Sequence, residues 1–125
     1  MDKIIFRIIG ILFYNSVLLF AQPKEIVAYY PQWKAEDQRY LVRDIEASGS
    51  ADKITVLNYA FAYPWIDSSG NAGIKFMNAY IDYCQQYSSA MSVDGVADDS
   101  LQPLKGQINQ LRKLKEHHHD IKVLI

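Results

Sequence analysis

The sequence predicts an α/β fold built on a parallel sheet. Three short apolar runs with strand character alternate with two segments whose apolar residues recur at helical spacing. A strand–helix–strand–helix–strand series places its strands parallel, because each helical crossover brings the chain back to the same edge of the sheet. With 125 residues, 50% of them hydrophobic, the chain is long enough for one domain of ordinary size.

The three predicted strands are Ile26–Tyr30, Ile54–Phe61 and Ile121–Ile125. The first ends where Pro31 removes a donor from the strand ladder. The second lies within the run Lys53–Tyr63, which is apolar on both alternating faces and rich in β-branched and aromatic residues. This pattern predicts a strand that is covered on both sides.

Two helices are predicted between the strands. The first is short, because Leu41, Val42 and Ile45 recur at near-helical spacing and Gly49 supplies a stop. The second spans Gly106–His118. Its predicted apolar stripe consists of Leu104, Ile108, Leu111 and Leu114. The residues predicted to face water are Gln107, Gln110, Arg112, Lys113 and Glu116.

A long segment without clear periodicity, about residues 64–103, separates the second strand from the second helix. Only a turn of helix is predicted in it, around Met77–Gln86. A connection of this length is typical of a functional insertion that lies over one end of a sheet. The last strand, Ile121–Ile125, has no following helix to cover it, so we expect residues 22–125 to be the N-terminal part of a longer domain.

Residues 1–21 predict a secretory signal peptide. Lys3 and Arg7 precede an apolar run from Ile8 to Ala21, which is shorter than the roughly 20 residues that a membrane-spanning helix needs. Cleavage is predicted after Ala21, which would leave a secreted, extracellular chain without stable membrane association. The alternative is an uncleaved membrane anchor.

Composition argues against several kinds of site. The net charge is -1 and no basic block occurs, so a nucleic-acid partner is not expected. Cys84 is the only cysteine and has no partner at nucleophile spacing. Neighbouring helical positions fan out by about 100°, so His117–His119 cannot converge on one metal ion. The acidic run Asp94–Asp99 lacks the pattern of a calcium loop and is interpreted as a solvated turn. No cofactor or metal is predicted.

Three segments, taken in order, carry a resemblance to a known family. They are EIVAYYPQW, DIEASGSADKITVLNYAF, and the stretch from DYCQQYSSAM through GQINQL to IKVLI, which together cover roughly residues 24–125. The chain resembles the opening of family 18 glycoside hydrolases, the bacterial secreted chitinases. The resemblance implies the N-terminal part of a (β/α)₈ TIM barrel, with the predicted strands as about three of its eight.

The resemblance also implies an activity. Family members hydrolyse β-1,4-linked N-acetylglucosamine polymers with retention, because the N-acetyl oxygen of the substrate attacks its own anomeric carbon while a protein acid protonates the leaving oxygen. That acid ends an Asp-x-x-Asp-x-Asp-x-Glu run on the fourth strand, which this sequence does not contain. We therefore expect a chitinase as the parent protein and no hydrolysis by these 125 residues alone.

Two other interpretations stay open at this point. The first is a non-catalytic, chitin-binding lectin on the same barrel, in which the catalytic glutamate has been replaced. The second is an unrelated exported domain with an open, flavodoxin-like sheet. The absence of a glycine-rich phosphate loop after Tyr30 or Tyr63 disfavours this second alternative.

The resemblance assigns roles to three aromatic residues at the ends of the first two strands, with chitin or chitin oligosaccharides as the expected partner. Tyr29 resembles a tyrosine with a supporting role, whose hydroxyl stabilises a buried aspartate of the catalytic run. Trp33 resembles a tryptophan that stacks on a sugar ring. Phe61 resembles a phenylalanine that forms the floor of the subsite where the sugar is cleaved. Without the resemblance, Tyr29 and Tyr59 would be interpreted as core tyrosines. Trp65 is interpreted as a surface loop residue.

Overall fold

The structure, a computed structural model, describes residues 24–37, 39–60 and 62–125. Its strands and helices in chain order are β1 (Val27–Pro31), α1 (Val42–Ala47), β2 (Val56–Ala60), β3 (Ala62–Ile66), β4 (Ala72–Phe76), α2 (Gly106–His117) and β5 (Lys122–Leu124). A 3₁₀ turn, Gln32–Lys34, follows β1, and a π-helical turn, Tyr80–Cys84, follows β4. The predicted signal peptide, residues 1–21, lies outside the described residues.

A parallel sheet with the strand order β1-β2-β5 forms the centre of the fold, as the sequence predicts. Along one row of the register, Tyr29 pairs with Asn58, and Asn58 pairs with Leu124. The central strand β2 begins buried on both faces, since Val56 is 8% exposed and Leu57 is 1% exposed. Asn58 and Ala60, which follow Val56 on the same face, are half-buried, so the predicted coverage on both sides holds only at the start of the strand.

The two helices cover one face of the sheet. Because side chains alternate along a strand, Tyr30 and Tyr59 face the helices while Tyr29 lies on the other face. The rings of Tyr30 and Tyr59 stack with their centroids 6.0 Å apart. The buried cluster around them includes Val42, Ile45, Leu57, Val93, Leu111, Leu114 and Ile121. Both predicted helices are present, and the first ends near Gly49, which has a φ of 68°.

The run Lys53–Tyr63 does not form one strand. β2 ends at Ala60, and Ala62 begins β3, which pairs with β4 in a separate antiparallel hairpin. The carboxylate of Asp67 holds the hairpin turn, because its Oδ1 accepts hydrogen bonds from the N–H groups of Ser69 at 2.9 Å and Asn71 at 2.8 Å. Trp65 therefore lies in a strand, and its interpretation as a surface loop residue is wrong.

Three of the five residues expected on the polar face of α2 are buried. Gln107 and Gln110 are 0% exposed and Lys113 is 7% exposed, so the prediction that they face water is wrong. Arg112 and Glu116 do lie exposed and form an ion pair with each other. The physical reason is that α2 is covered twice, by the sheet and by residues 87–98 of the preceding segment, which we call the strap.

The strap supplies hydrogen-bond acceptors and opposite charges to the buried ammonium of Lys113. The Lys113 ammonium donates to Ser92 Oγ at 2.8 Å and to Asp94 Oδ1 at 2.9 Å, and it lies 3.7 Å from Asp98 Oδ1. The side chain of Asp98 is completely buried. The acidic run Asp94–Asp99 is therefore not the solvated turn that its sequence suggests, because part of it neutralises a lysine inside the fold.

Neither helix in the part of the chain that the structure describes is long and apolar enough to cross a membrane.

The carboxylate of Asp94 makes the strap sensitive to acid. Burial favours a higher pKa for Asp94, but hydrogen bonds from Lys113, Val96 N–H and Ser92 outweigh burial and lower the pKa from 3.8 to about 2. A carboxyl group with a depressed folded-state pKa stabilises the fold above its ordinary pKa and loses this contribution as the pH falls. Between pH 4 and pH 2, roughly the interval between the two pKa values, we expect the unfolding free energy of the wild type to fall more steeply than that of Asp94→Asn. Urea unfolding across this interval checks this, and parallel curves would contradict it.

Gly106 lets α2 start in close contact with the π-helical turn. Its φ is 65°, and a Cβ there would come within 2.5 Å of the Ile81 carbonyl oxygen. Gly49 has a similar φ of 68° but nothing within 4 Å of its Cβ position, so it is a matched control. We expect Gly49→Ala to cost about 1–2 kcal/mol and Gly106→Ala about 3 kcal/mol or more, because only the second adds a steric clash. Equal losses in urea unfolding would show that the contact at Gly106 is unimportant.

Candidate functional site

The C-terminal ends of β1 and β2 carry the predicted site residues, and we call this edge, residues 29–33 and 58–60, the rim. Parallel α/β folds place their sites at this edge. Tyr29 is 71% exposed on the sheet face opposite the helices, and Trp33 is 42% exposed in the turn after β1. The structure brings both residues to the same edge. Phe61, the third predicted residue, lies outside the described residues.

Two adjacent tyrosines in β1 have opposite environments. Tyr30 is 1% exposed, and its hydroxyl lies 3.0 Å from the Tyr40 carbonyl oxygen and 3.2 Å from Gln107 Oε1. Burial, which removes water from the ring, raises the pKa of Tyr30 far above its usual value. Tyr59 is 3% exposed and is likewise a core tyrosine. Tyr29 is not in the core, so its hydroxyl is accessible from the open face of the sheet.

A buried carboxylate lies next to the rim, and sequence reasoning missed it. Asp82, in the π-helical turn, is 0% exposed. Its Oδ1 accepts a hydrogen bond from the Tyr59 hydroxyl, and its Oδ2 accepts one from the N–H of Asn78 at 3.3 Å. Burial raises the pKa of Asp82, while the bonds from Tyr59 and Asn78 oppose the rise. Single π-helical turns are frequent at functional sites, and this one lies within the turn of helix that the sequence predicts around Met77–Gln86.

The bonds of Asp82 connect three segments at the rim. Asn78, which follows β4, donates from Nδ2 to Glu36 Oε1 at 3.1 Å. Glu36 belongs to the loop that carries Trp33. We call the four residues Glu36, Tyr59, Asn78 and Asp82 the latch, because they tie together the loop after β1, strand β2 and the segment after β4.

Gln32 is a second functional candidate that the sequence did not indicate. It is 0% exposed beside Trp33, and neither atom of its side-chain amide has a hydrogen-bond partner among the described residues. An unpaired buried amide costs about 1–3 kcal/mol. Such a group at a rim is better explained by a role in the site than by stability.

The described residues offer no group of three His, Cys, Asp or Glu side chains that could hold a metal ion. The histidines at the end of α2 contact α1 instead, with His118 Nε2 at 2.7 Å and His117 Nδ1 at 3.4 Å from the Glu46 carboxylate. These contacts lie at the N-terminal edge of the sheet, away from the rim. Cys84 is an exposed free thiol in the π-helical turn.

Two curated proteins are similar to this chain in sequence. Chitinase C of Streptomyces lividans is 44% identical over 98 residues, which cover 78% of this chain and 15% of that protein. Chitinase 63 of Streptomyces plicatus is 40% identical with the same coverage. The chain is homologous to a part of these bacterial chitinases. No protein-family model matches the chain. It spans 15% of the length of these two chitinases.

A solved chitinase structure supports the fold in three dimensions. The catalytic domain of psychrophilic chitinase B from Arthrobacter TAD20 matches with a TM-score of 0.70 and 29% identity, over 81% of this chain and 26% of that one. The three parallel strands and their helices are the N-terminal part of a (β/α)₈ barrel, so the predicted fold class is confirmed. The rim is consequently at the C-terminal end of the barrel strands, where folds of this class place their sites.

The hydrogen bond between Tyr59 and Asp82 in the latch should make the unfolding free energy depend on pH. Tyr59→Phe should lower the unfolding free energy at pH 7 by about 1–3 kcal/mol, because Asp82 stays buried and loses a donor. The Tyr59 bond lowers the Asp82 pKa, so its loss raises that pKa further. A carboxyl group with a raised folded-state pKa destabilises the fold above its ordinary pKa and not below it.

The cost of Tyr59→Phe should therefore shrink as the pH falls below the ordinary aspartate value of 3.8. Urea unfolding at pH 7 and at pH 3 measures this change. The control is Tyr29→Phe, which removes the hydroxyl of an exposed ring and should change stability by less than about 0.5 kcal/mol at either pH. A cost of Tyr59→Phe that does not depend on pH would show that the Asp82 charge is not involved.

Proposed function

We propose that this chain is part of a secreted family 18 chitinase that hydrolyses β-1,4-linked N-acetylglucosamine polymers. The observation that carries the proposal is the exposure of Tyr29 and Trp33 at the rim of a chain homologous to a part of bacterial chitinases. Aromatic side chains at the open end of a barrel suit a sugar polymer, because pyranose rings present flat apolar faces that pack on them.

The roles proposed at the rim are those that the resemblance to family 18 glycoside hydrolases implies. Trp33 stacks on one sugar ring of the bound chitin chain. Tyr29 offers its hydroxyl on the open face of the sheet, where it stabilises a buried aspartate of the catalytic run. Phe61, directly after β2, floors the subsite in which the glycosidic bond is cleaved.

The proposed reaction is substrate-assisted and retaining. The carbonyl oxygen of the substrate's N-acetyl group attacks the anomeric carbon, and a carboxylic acid donates a proton to the leaving oxygen. The 125 residues contain no Asp-x-x-Asp-x-Asp-x-Glu run to supply that acid, so on their own they are not expected to hydrolyse chitin. Export through the signal peptide at residues 1–21 would bring the protein to its insoluble substrate.

Replacing the rim tryptophan tests the proposed binding role. In the full-length protein, Trp33→Ala should weaken the binding of chitin oligosaccharides about tenfold, which corresponds to about 1.4 kcal/mol, because a stacked sugar ring loses its partner. The matched variant Trp33→Phe keeps an aromatic face and should lose less. Isothermal titration calorimetry measures both, and an unchanged Kd for Trp33→Ala would remove Trp33 from the site.

A parallel hydrolysis assay distinguishes the enzyme from the lectin. Release of reducing ends from chitin by the full-length protein is expected of the chitinase. Tight binding of the oligosaccharides without release would identify the non-catalytic, chitin-binding alternative.

A further inference from the structure

The β3–β4 hairpin has two different faces, both accessible to solvent. The register pairs Tyr63 with Lys75 and Trp65 with Gly73, so these four residues share one face, which we call the platform. Tyr63 is 48% exposed, and Trp65 is half-buried. The opposite face carries Ala62, Pro64, Ile66, Ala72, Ile74 and Phe76.

The platform is the hairpin face that points away from the buried core. On the opposite hairpin face, Phe76 packs against the core that lies between the sheet and the helices, and it meets the ring of Tyr83 edge-on at 6.3 Å. Because side chains alternate along a strand, the platform lies on the other side of the hairpin from this contact.

The platform also continues directly from the rim. A single residue separates the end of β2 at Ala60 from the start of β3 at Ala62. At the other end of the hairpin, the latch bonds Asn78 to Asp82 and Glu36. The hairpin is thus anchored on both limbs, which reduces the loss of conformational entropy when a ligand binds to it.

The Trp65 ring of the platform is held in place. A Cβ on Gly73 would come within 2.5 Å of Trp65 Nε1, so the glycine leaves the space in which the indole lies across β4. The Lys75 ammonium is 4.8 Å from the centre of the Trp65 ring, within the range of a cation–π contact. Tyr63 and Trp65 are two residues apart on one strand, a spacing of about 7 Å. The result is a short row of two rings beside a positive charge.

We propose that the platform binds a part of the chitin chain that extends past the rim, an inference that rests on the proposed function. Sugar rings pack on Tyr63 and Trp65, and the Lys75 ammonium donates a hydrogen bond to a hydroxyl or N-acetyl oxygen. The ligand class is a neutral polysaccharide. An uncharged polymer suits this face because its only formal charge is Lys75, which already contacts the Trp65 ring.

The length of the oligosaccharide distinguishes the platform from the rim. By isothermal titration of the full-length protein, Tyr63→Ala should weaken binding of the N-acetylglucosamine hexamer about five- to tenfold and leave binding of the dimer unchanged. Tyr63→Leu keeps apolar volume in the strand without a flat ring, and it should show the same loss. The control is Ile74→Ala, on the opposite face of the hairpin and 73% exposed, which should alter neither affinity.

Each result decides between the two proposals. If Trp33→Ala weakens both oligosaccharides while Tyr63→Ala and Tyr63→Leu weaken neither, the platform is overturned and the proposed function stands. If Ile74→Ala weakens the hexamer as much as Tyr63→Ala, the loss comes from hairpin distortion and the platform is again overturned. If the wild type binds neither oligosaccharide, both proposals are overturned.

Discussion

The fold depends on the burial of polar side chains along α2 with nearly all of their bonding groups paired. A lysine ammonium is stable inside a protein only when opposite charges and hydrogen-bond acceptors surround it. The strap supplies them to Lys113 through Ser92, Asp94 and the buried Asp98. Because removing one partner would leave a buried charge unpaired, the strap and the helix must form together. This requirement determines where residues 87–98 lie.

Contacts of α2 also fix the position of the loops at the rim. Gln107 reaches Tyr30 on β1 and Tyr87 on the strap, so one amide joins the sheet, the helix and the strap. At the start of α2, Gly106 allows close packing against Asp82, whose carboxylate binds the Tyr59 hydroxyl. The position of the rim loops is therefore determined by buried polar contacts on the helix side of the sheet, and the open face stays available for a ligand.

Local periodicity was sufficient to predict the strands of the parallel sheet and both helices. It failed where burial depends on distant residues. Leu111 and Leu114 are buried as their spacing predicts, but Lys113 is buried because a segment about 20 residues earlier covers it. Asp82 could not be found for the same reason, since its partner Tyr59 is 23 residues away. The hairpin was missed because the Asp67–Asn71 turn lies in a stretch rich in loop-forming residues.

The tyrosine pair in β1 links the formation of the core to the formation of the site. Successive side chains on a strand point to opposite faces, so the position that buries Tyr30 against Tyr59 also exposes Tyr29 beside Trp33. A slip of β1 by one residue would exchange the two rings, and it would place the hydroxyl of Tyr29 where Gln107 and the Tyr40 carbonyl now bind Tyr30. The polar contacts of Tyr30 disfavour such a slip, because the Tyr40 carbonyl and Gln107 can accept a hydroxyl only at the position that Tyr30 now occupies. The contacts that hold Tyr30 in the core therefore also select Tyr29 as the residue presented on the open face.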